Sequence, residues 1–160
     1  MVYWTFQKKD IIKRVIEQGL WVPSLEKGDK CEYILALYND TFNKEYKGLV
    51  FGYGDRVVEN GPRFGKIESL IKNCESICKP GEVIYNYKMY SLLKLYVPNN
   101  IDRLVVEYSR VANLLNNDDT VIDDIKRDLL KPCFDNRYEL PMTIIPYIYK
   151  NWIHEVYNSW

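Results

Sequence analysis

Net charge is the first thing this sequence lacks. Its 160 residues carry 22 Lys plus Arg against 22 Asp plus Glu, so no overall field gathers polyanions or holds the chain on an anionic membrane. Bulk nucleic-acid binding is disfavoured on that ground. Long apolar runs are missing as well: no stretch approaches the roughly 20 residues that span a bilayer. The N-terminus shows no basic region followed by an apolar segment and a small-residue cleavage site. A cytoplasmic protein without membrane contact is expected. Low-complexity tracts, blocks of like charge and internal repeats are also absent, which argues against disorder. The expectation is one globular domain over residues 1–160, long enough to bury its own core.

Chemistry-bearing constellations are equally scarce. The loop from Gly61 to Lys66 resembles a phosphate loop, but its glycines stand one residue too close and Ile67 occupies the place of the magnesium-holding hydroxyl. Gly52 and Gly54 lack the third glycine and the helix start of a dinucleotide fingerprint. There are four cysteines and a single histidine, His154. Without a leader, Cys31, Cys74, Cys78 and Cys133 are expected as reduced, buried thiols, since their spacing matches no zinc module. His154 lies on a terminal segment beside Trp152 and Val156 and reads as a partly exposed structural residue. The carboxylate pairs Asp118–Asp119 and Asp123–Asp124 mark a solvated helix start. No catalytic residue, metal or cofactor is assigned, and a binding role stands ahead of an enzymatic one.

What the sequence does hold is clear local patterning. Val2 to Phe6 is aromatic and β-branched, which suits a strand, and Ile11, Ile12, Val15 and Ile16 then recur at helical spacing. Gly19 follows at once as a left-handed helix stop. Asp29 and Glu32 form a capping-box pattern before a second helix reaching about Asn43. Leu49–Tyr53 is a strand candidate, Gly54–Gly65 a loop and Ile67–Cys78 a third helix. Val83–Val97 reads as a hairpin or two strands, Leu104–Tyr108 as a strand, and Ser109–Leu115 as a short helix capped by Ser109. A further helix is expected over Thr120–Leu130. Met142–Tyr149 is expected as a last strand interrupted by Pro146, before a terminal helical turn through Trp152 and Val156. This order points to an α+β fold, with a mixed β-sheet holding Val2–Thr5, Leu104–Tyr108 and Met142–Tyr149 and with helices packed on it.

Fourteen tyrosines are the compositional excess. A tyrosine pairs a flat apolar body with a polar tip, which suits cores, interfaces and pockets that stack planar ligands. On the ligand reading, Trp4, Tyr53 and Tyr108 stack a base, Arg56 and Arg63 pair with phosphate, and Asn116 reads a ring edge. The competing reading places these aromatics in the core or at an interface with a protein partner or a second copy.

Three stretches resemble the uncharacterised bacterial and phage family designated domain of unknown function 3841. These are Trp4-Thr5-Phe6-Gln7 with Gly19-Leu20, the strand and helix carrying Glu107, Tyr108, Leu115 and Asn116, and Met142-Thr143 followed by Ile148 and Lys150 to Ile153. Val111-Ala112 replace an aromatic–histidine pair of that family, and Pro141-Met142 replace its Gln-Ala. The family has no established activity, so the resemblance implies a fold and a setting of phage–host conflict rather than a reaction. A second, weaker resemblance is to enzymes of the NAD-using ADP-ribosyltransferase fold, which also open strand, helix, Gly-Leu. It implies an NAD-contacting role for Thr5 or Gln7 and for Thr143, although no carboxylate stands beside Thr143. Together these readings set Thr5, Gln7, Glu107 and Thr143 beside the aromatics and arginines as candidate ligand-binding residues for a small anionic planar ligand, nucleotide-like and held without turnover. The alternatives are a transferase and a protein–protein inhibitor.

Overall fold

The computed structural model describes residues 1–54, 90–116, 129, 131 and 141–158. The expected helix Ile67–Cys78 lies outside these residues, as do the expected helix Thr120–Leu130 apart from Leu129 and the part of Val83–Val97 before Tyr90. The fold class is α+β, as expected. Six strands are hydrogen-bonded in the order β5-β6-β3-β1-β4-β8, where β1 is Val2–Lys8, β3 Val50–Gly54, β4 Tyr90–Tyr96, β5 Leu104–Glu107, β6 Pro141–Ile145 and β8 Ile153–Asn158. The chain forms two compact units. One comprises Met1–Trp21, Gly52–Asn99 and Ile148–Trp160, the other Val22–Phe51 and Asn100–Tyr147. Among the described residues no helix is long and apolar enough to cross a membrane.

The first unit is built on β1. Tyr3, Trp4 and Thr5 are each 0–1% exposed, so both faces of the strand are covered and the segment reads as a continuous buried run instead of an alternation. It pairs antiparallel with β4 from Val2 opposite Tyr96 to Lys8 opposite Tyr90, and with β3 at Tyr3 opposite Gly54 and Trp4 opposite Tyr53. Helix α1, Lys9–Gln18, starts where β1 ends and buries Ile12 and Val15. Gly19 stops it in the left-handed region, φ 82°, with its N–H donating to the Val15 carbonyl. This is the stop read from the sequence. The Gly19 carbonyl accepts from the Lys150 N–H at 2.9 Å, beside a two-stranded ladder of β2, Leu20–Trp21, and β7, Ile148–Tyr149.

Two expectations about the C-terminal end are corrected. Met142–Tyr149 is not one strand: β6 pairs with β5, β7 pairs with β2, and Pro146 between them has no N–H to extend a ladder. The expected terminal helical turn shrinks to a 3-10 turn at Lys150–Trp152, after which β8 pairs with β4. Ile153, Val156 and Tyr157 favour a pleated strand, and ladder bonds to β4 outweigh those of a single isolated helical turn. The ladder shifts register between Lys94–Glu155 and Leu95–Ile153, leaving His154 as the extra residue of a bulge.

In the second unit, helix α2, Glu32–Phe42, buries Ile34 and Tyr38 and ends at Asn43, φ 51°. The expected capping box with Asp29 at the cap is corrected: the N-cap is Cys31, without a side-chain cap hydrogen bond, because Asp29 and Glu32 are committed to the turn before the helix. The Glu32 carboxylate accepts from the Gly28 N–H at 3.2 Å, and Asp29 from the Cys31 N–H at 2.8 Å. Strands β5 and β6 pair antiparallel, from Leu104 opposite Ile144 to Glu107 opposite Pro141. Helix α3, Tyr108–Asn116, follows β5 without a loop, so Ser109 lies inside the helix instead of capping it as expected, with its N–H and hydroxyl both directed to Glu107.

Two glycines serve different purposes, and their alanine variants separate them. A Cβ on Gly19 meets nothing within 4 Å, so Gly19→Ala carries only the left-handed backbone cost of about 1 kcal/mol. A Cβ on Gly52 would sit 2.3 Å from the Trp4 carbonyl oxygen and 2.5 Å from the Tyr3 ring. Gly52→Ala therefore has to displace β1 itself, at about 3 kcal/mol or more. Urea denaturation is expected to rank Gly52→Ala well below Gly19→Ala in stability; the reverse order contradicts this account.

Candidate functional site

The sequence-predicted residues separate by face and by unit. Trp4 and Tyr53 are opposed on β1 and β3, and the Lys94 ammonium lies 5.2 Å above the Trp4 ring. Trp4 is 1% exposed, so its indole is a core group with a cation over it, not an open stacking platform. Strand alternation sends Thr5 and Gln7 to the other face, where Gln7 Nε2 donates to Thr5 Oγ1 at 2.9 Å. Trp4 and this polar pair do not line one pocket. Glu107, Tyr108, Asn116 and Thr143 belong to the second unit. The buried Glu107 carboxylate accepts from the Ser109 N–H at 2.8 Å and from the Ser109 hydroxyl, satisfying an orphan donor at the start of α3. Thr143 is buried opposite Val105, Tyr108 is half-buried as the first residue of α3, and Asn116 is its last. Arg56 and Arg63 lie outside the described residues.

A groove in the first unit provides a ligand-sized space that the sequence reading missed. It is bordered by Lys9, Ile12, Lys13, Ile16 and Glu17 of α1, by Ser91 of β4 and by Val156 of β8, and holds about 440 Å³, inside the range of small-molecule sites. Register explains the assembly. Ser91 is opposite Gln7, and Leu93 is opposite both Thr5 and Val156, so these side chains share the sheet face next to α1. Ile16 and Val156 are 47% and 38% exposed, leaving apolar surface open in the groove. Lys13 and Glu17 are 3.8 Å apart with mostly exposed side chains. Such an exposed i,i+4 pair contributes only roughly 0.3–0.5 kcal/mol, so an arriving anion displaces Glu17 from Lys13 at little cost. A sequence signal existed in the four-residue spacing of Lys9, Lys13 and Glu17 along one helix edge. Ser91 and Val156 carried none, because only the strand register brings them there.

The second unit gathers aromatics around Asp102. Tyr38 donates to the Asp102 backbone carbonyl at 2.5 Å, and Tyr46 to its carboxylate at 3.2 Å. Phe42 packs on Tyr38, and Tyr147 meets Tyr46 edge to face. Burial, then the Asp102 carboxylate and the neighbouring phenols, raises Tyr38 far above the ordinary tyrosine range. Burial and Asp102 push Tyr46 up to about 12 from 10. Both phenols therefore stay protonated as donors. The half-buried Cys31 thiol is pushed up to about 12 by burial first and Asp29 second, making it a poor nucleophile at neutral pH; Cys74, Cys78 and Cys133 lie outside the described residues. Among the described residues no three His, Cys, Asp or Glu side chains cluster as a metal site. His154 is exposed, as expected of a structural residue. It stacks on Tyr96 at 4.4 Å, with Nε2 3.4 Å from Glu155.

No protein-family model, curated protein or solved structure matches the chain.

The tyrosine–Asp102 cluster carries a pH signature. Tyr46 ionises near 10 when unfolded and near 12 when folded. Between those values the folded chain holds a proton that the unfolded chain has released, so stability is intact below pH 10 and declines as pH rises through the window. Melting temperatures from pH 9 to pH 12 are expected to fall less steeply in Tyr46→Phe than in the parent. Equal slopes would remove Tyr46 from the cause.

Proposed function

We propose that this protein binds a small anionic, planar, nucleotide-like ligand in the groove between α1, β4 and β8 and holds it without turnover. The observation that carries this reading is the pairing of two lysines, Lys9 and Lys13, with open apolar surface at Ile12, Ile16 and Val156 in one ligand-sized groove. The ammonium groups meet phosphate or carboxylate oxygens, and the apolar side chains take a flat body. Lys9 has no ion-pair partner among the described residues, and the Lys13–Glu17 contact is weak, so both cations are available to an anion. Holding a flat anion is the chemistry that two lysines beside open apolar side chains support. The resemblance to the bacterial and phage family of unknown function would set such a domain in phage–host conflict.

A thermal-shift panel of nucleotides, cyclic dinucleotides, NAD, ADP-ribose and simple carboxylate amphiphiles tests this, with mass spectrometry of each supernatant. A ligand at a hundred times its dissociation constant adds roughly 2.7 kcal/mol of apparent stability, equivalent to about 5–10 °C for a chain of this size. A nucleotide is expected to give the shift, to be recovered unchanged, and to lose its effect in the Lys9→Ala, Lys13→Ala double variant. Released nicotinamide would indicate a transferase instead. The absence of any shift, or a shift indifferent to both lysines, contradicts the groove as the site.

A further inference from the structure

Lys9, Lys13 and Glu17 follow one another at four-residue spacing along α1, so two cations and then a carboxylate border the groove over roughly 12 Å of helix. Ile12 and Ile16 lie alongside them, with Val156 on the sheet side. Each end asks for different chemistry. The lysine end takes an anion, whereas an ionised carboxylate at the other end only accepts hydrogen bonds and repels an edge made of acceptors alone. A ligand satisfying both carries its negative charge at one end, an apolar planar body in the middle and N–H donors at the far end. Glu17 can take that donor because its side chain is 58% exposed and its contact with Lys13 is a long 3.8 Å. Phosphate arriving at Lys13 frees it. Carboxylates pair with exocyclic amino groups of bases by the same donor–acceptor match in nucleic-acid recognition.

We propose that the groove selects nucleotides whose base presents an exocyclic amino group, with Glu17 as the specificity-determining residue; this rests on the ligand-binding reading of the groove. Phosphate sets affinity at Lys9 and Lys13, and Glu17 sets which base is kept. The same carboxylate lowers affinity for the phosphate itself by competing for Lys13, so its two effects act in opposite directions on different parts of the ligand.

The test compares adenosine 5′-monophosphate with purine riboside 5′-monophosphate, which lacks only the amino group, by isothermal titration on the full chain and on Glu17→Ala and Lys13→Ala. Circular dichroism confirms that each variant is folded. The parent is expected to prefer the amino-bearing nucleotide about tenfold, as one charge-assisted hydrogen bond provides. In Glu17→Ala the preference should collapse towards unity while the purine nucleotide binds as well as before or better. In Lys13→Ala both nucleotides should weaken by a similar factor, keeping their ratio. If the parent binds both nucleotides equally, or Glu17→Ala retains the preference, the specificity assignment is wrong while the groove still stands as a site. If neither nucleotide binds the parent, the groove reading fails and takes this inference with it.

Discussion

Every residue of β1 from Val2 to Lys8 has a partner on β4, and within that ladder Tyr3, Trp4 and Thr5 are buried in succession. A strand covered on both faces tolerates no unpaired polar group, because a buried donor or acceptor left alone costs about 1–3 kcal/mol. Thr5 and Gln7 meet that demand by bonding to each other. Burial of the Trp4 and Tyr3 side chains supplies a stabilisation of about 1.5–3 kcal/mol apiece, and Gly52 lets β3 approach the Trp4 backbone where a methyl group could not fit. The same covering fixes α1. The helix leaves β1 directly, and burying Ile12 and Val15 leaves its Lys9–Lys13–Glu17 edge beside Ser91 and Val156. The groove is thus a by-product of how the most constrained strand is covered.

The second unit uses polar satisfaction differently. Tyr38 and Tyr46 both end on Asp102, one on its backbone carbonyl and one on its carboxylate. Asn39 ties the same region together, donating to the Tyr46 carbonyl and accepting from the Tyr46 N–H, both at 3.0 Å. Part of the tyrosine excess is therefore structural: these phenols are hydrogen-bond donors that carry large apolar rings into a core. Glu107 belongs to the same economy of local donors, holding the start of α3 through Ser109.

Electrostatics distinguish the groove from these networks. Where polar groups are buried they are committed to one another, and disturbing them costs stability. At the groove the charges sit at the solvent edge of α1, and their only mutual tie among the described residues is the exposed Lys13–Glu17 pair. Charges held this loosely can be redirected to a ligand. That contrast favours α1 over the buried Trp4, Glu107 and Thr143 as the place where the protein meets other molecules.

Local order was legible in the residues themselves. β-branched and aromatic residues at the start, helical spacing of apolar residues from Ile11 to Ile16, the Gly19 stop and the helix end at Asn43 all depend on neighbours within a few positions, and the order of the expected strands and helices pointed to α+β. The break at Pro146 was legible, but the terminal strand β8 and the separate partners of β6 and β7 were not. A six-residue segment such as Ile153–Asn158 chooses strand or helix by whether a distant edge, here β4, offers it hydrogen bonds. The grouping of candidate site residues in space was not legible for a related reason. Residue type marked Trp4 as a stacking group and Thr5 and Gln7 as its neighbours, but pleating sends them to opposite faces, and burial closes the indole to ligands. The groove needs Lys9 and Lys13 from one helix edge, Ser91 from β4 and Val156 from β8, residues up to 147 positions apart in a 160-residue chain. Amino-acid sequence sets the local conformations because their energies are decided within a few residues. Tertiary structure alone decides which side chains face a common space, because that follows from strand register and from the side of the sheet on which a helix comes to rest.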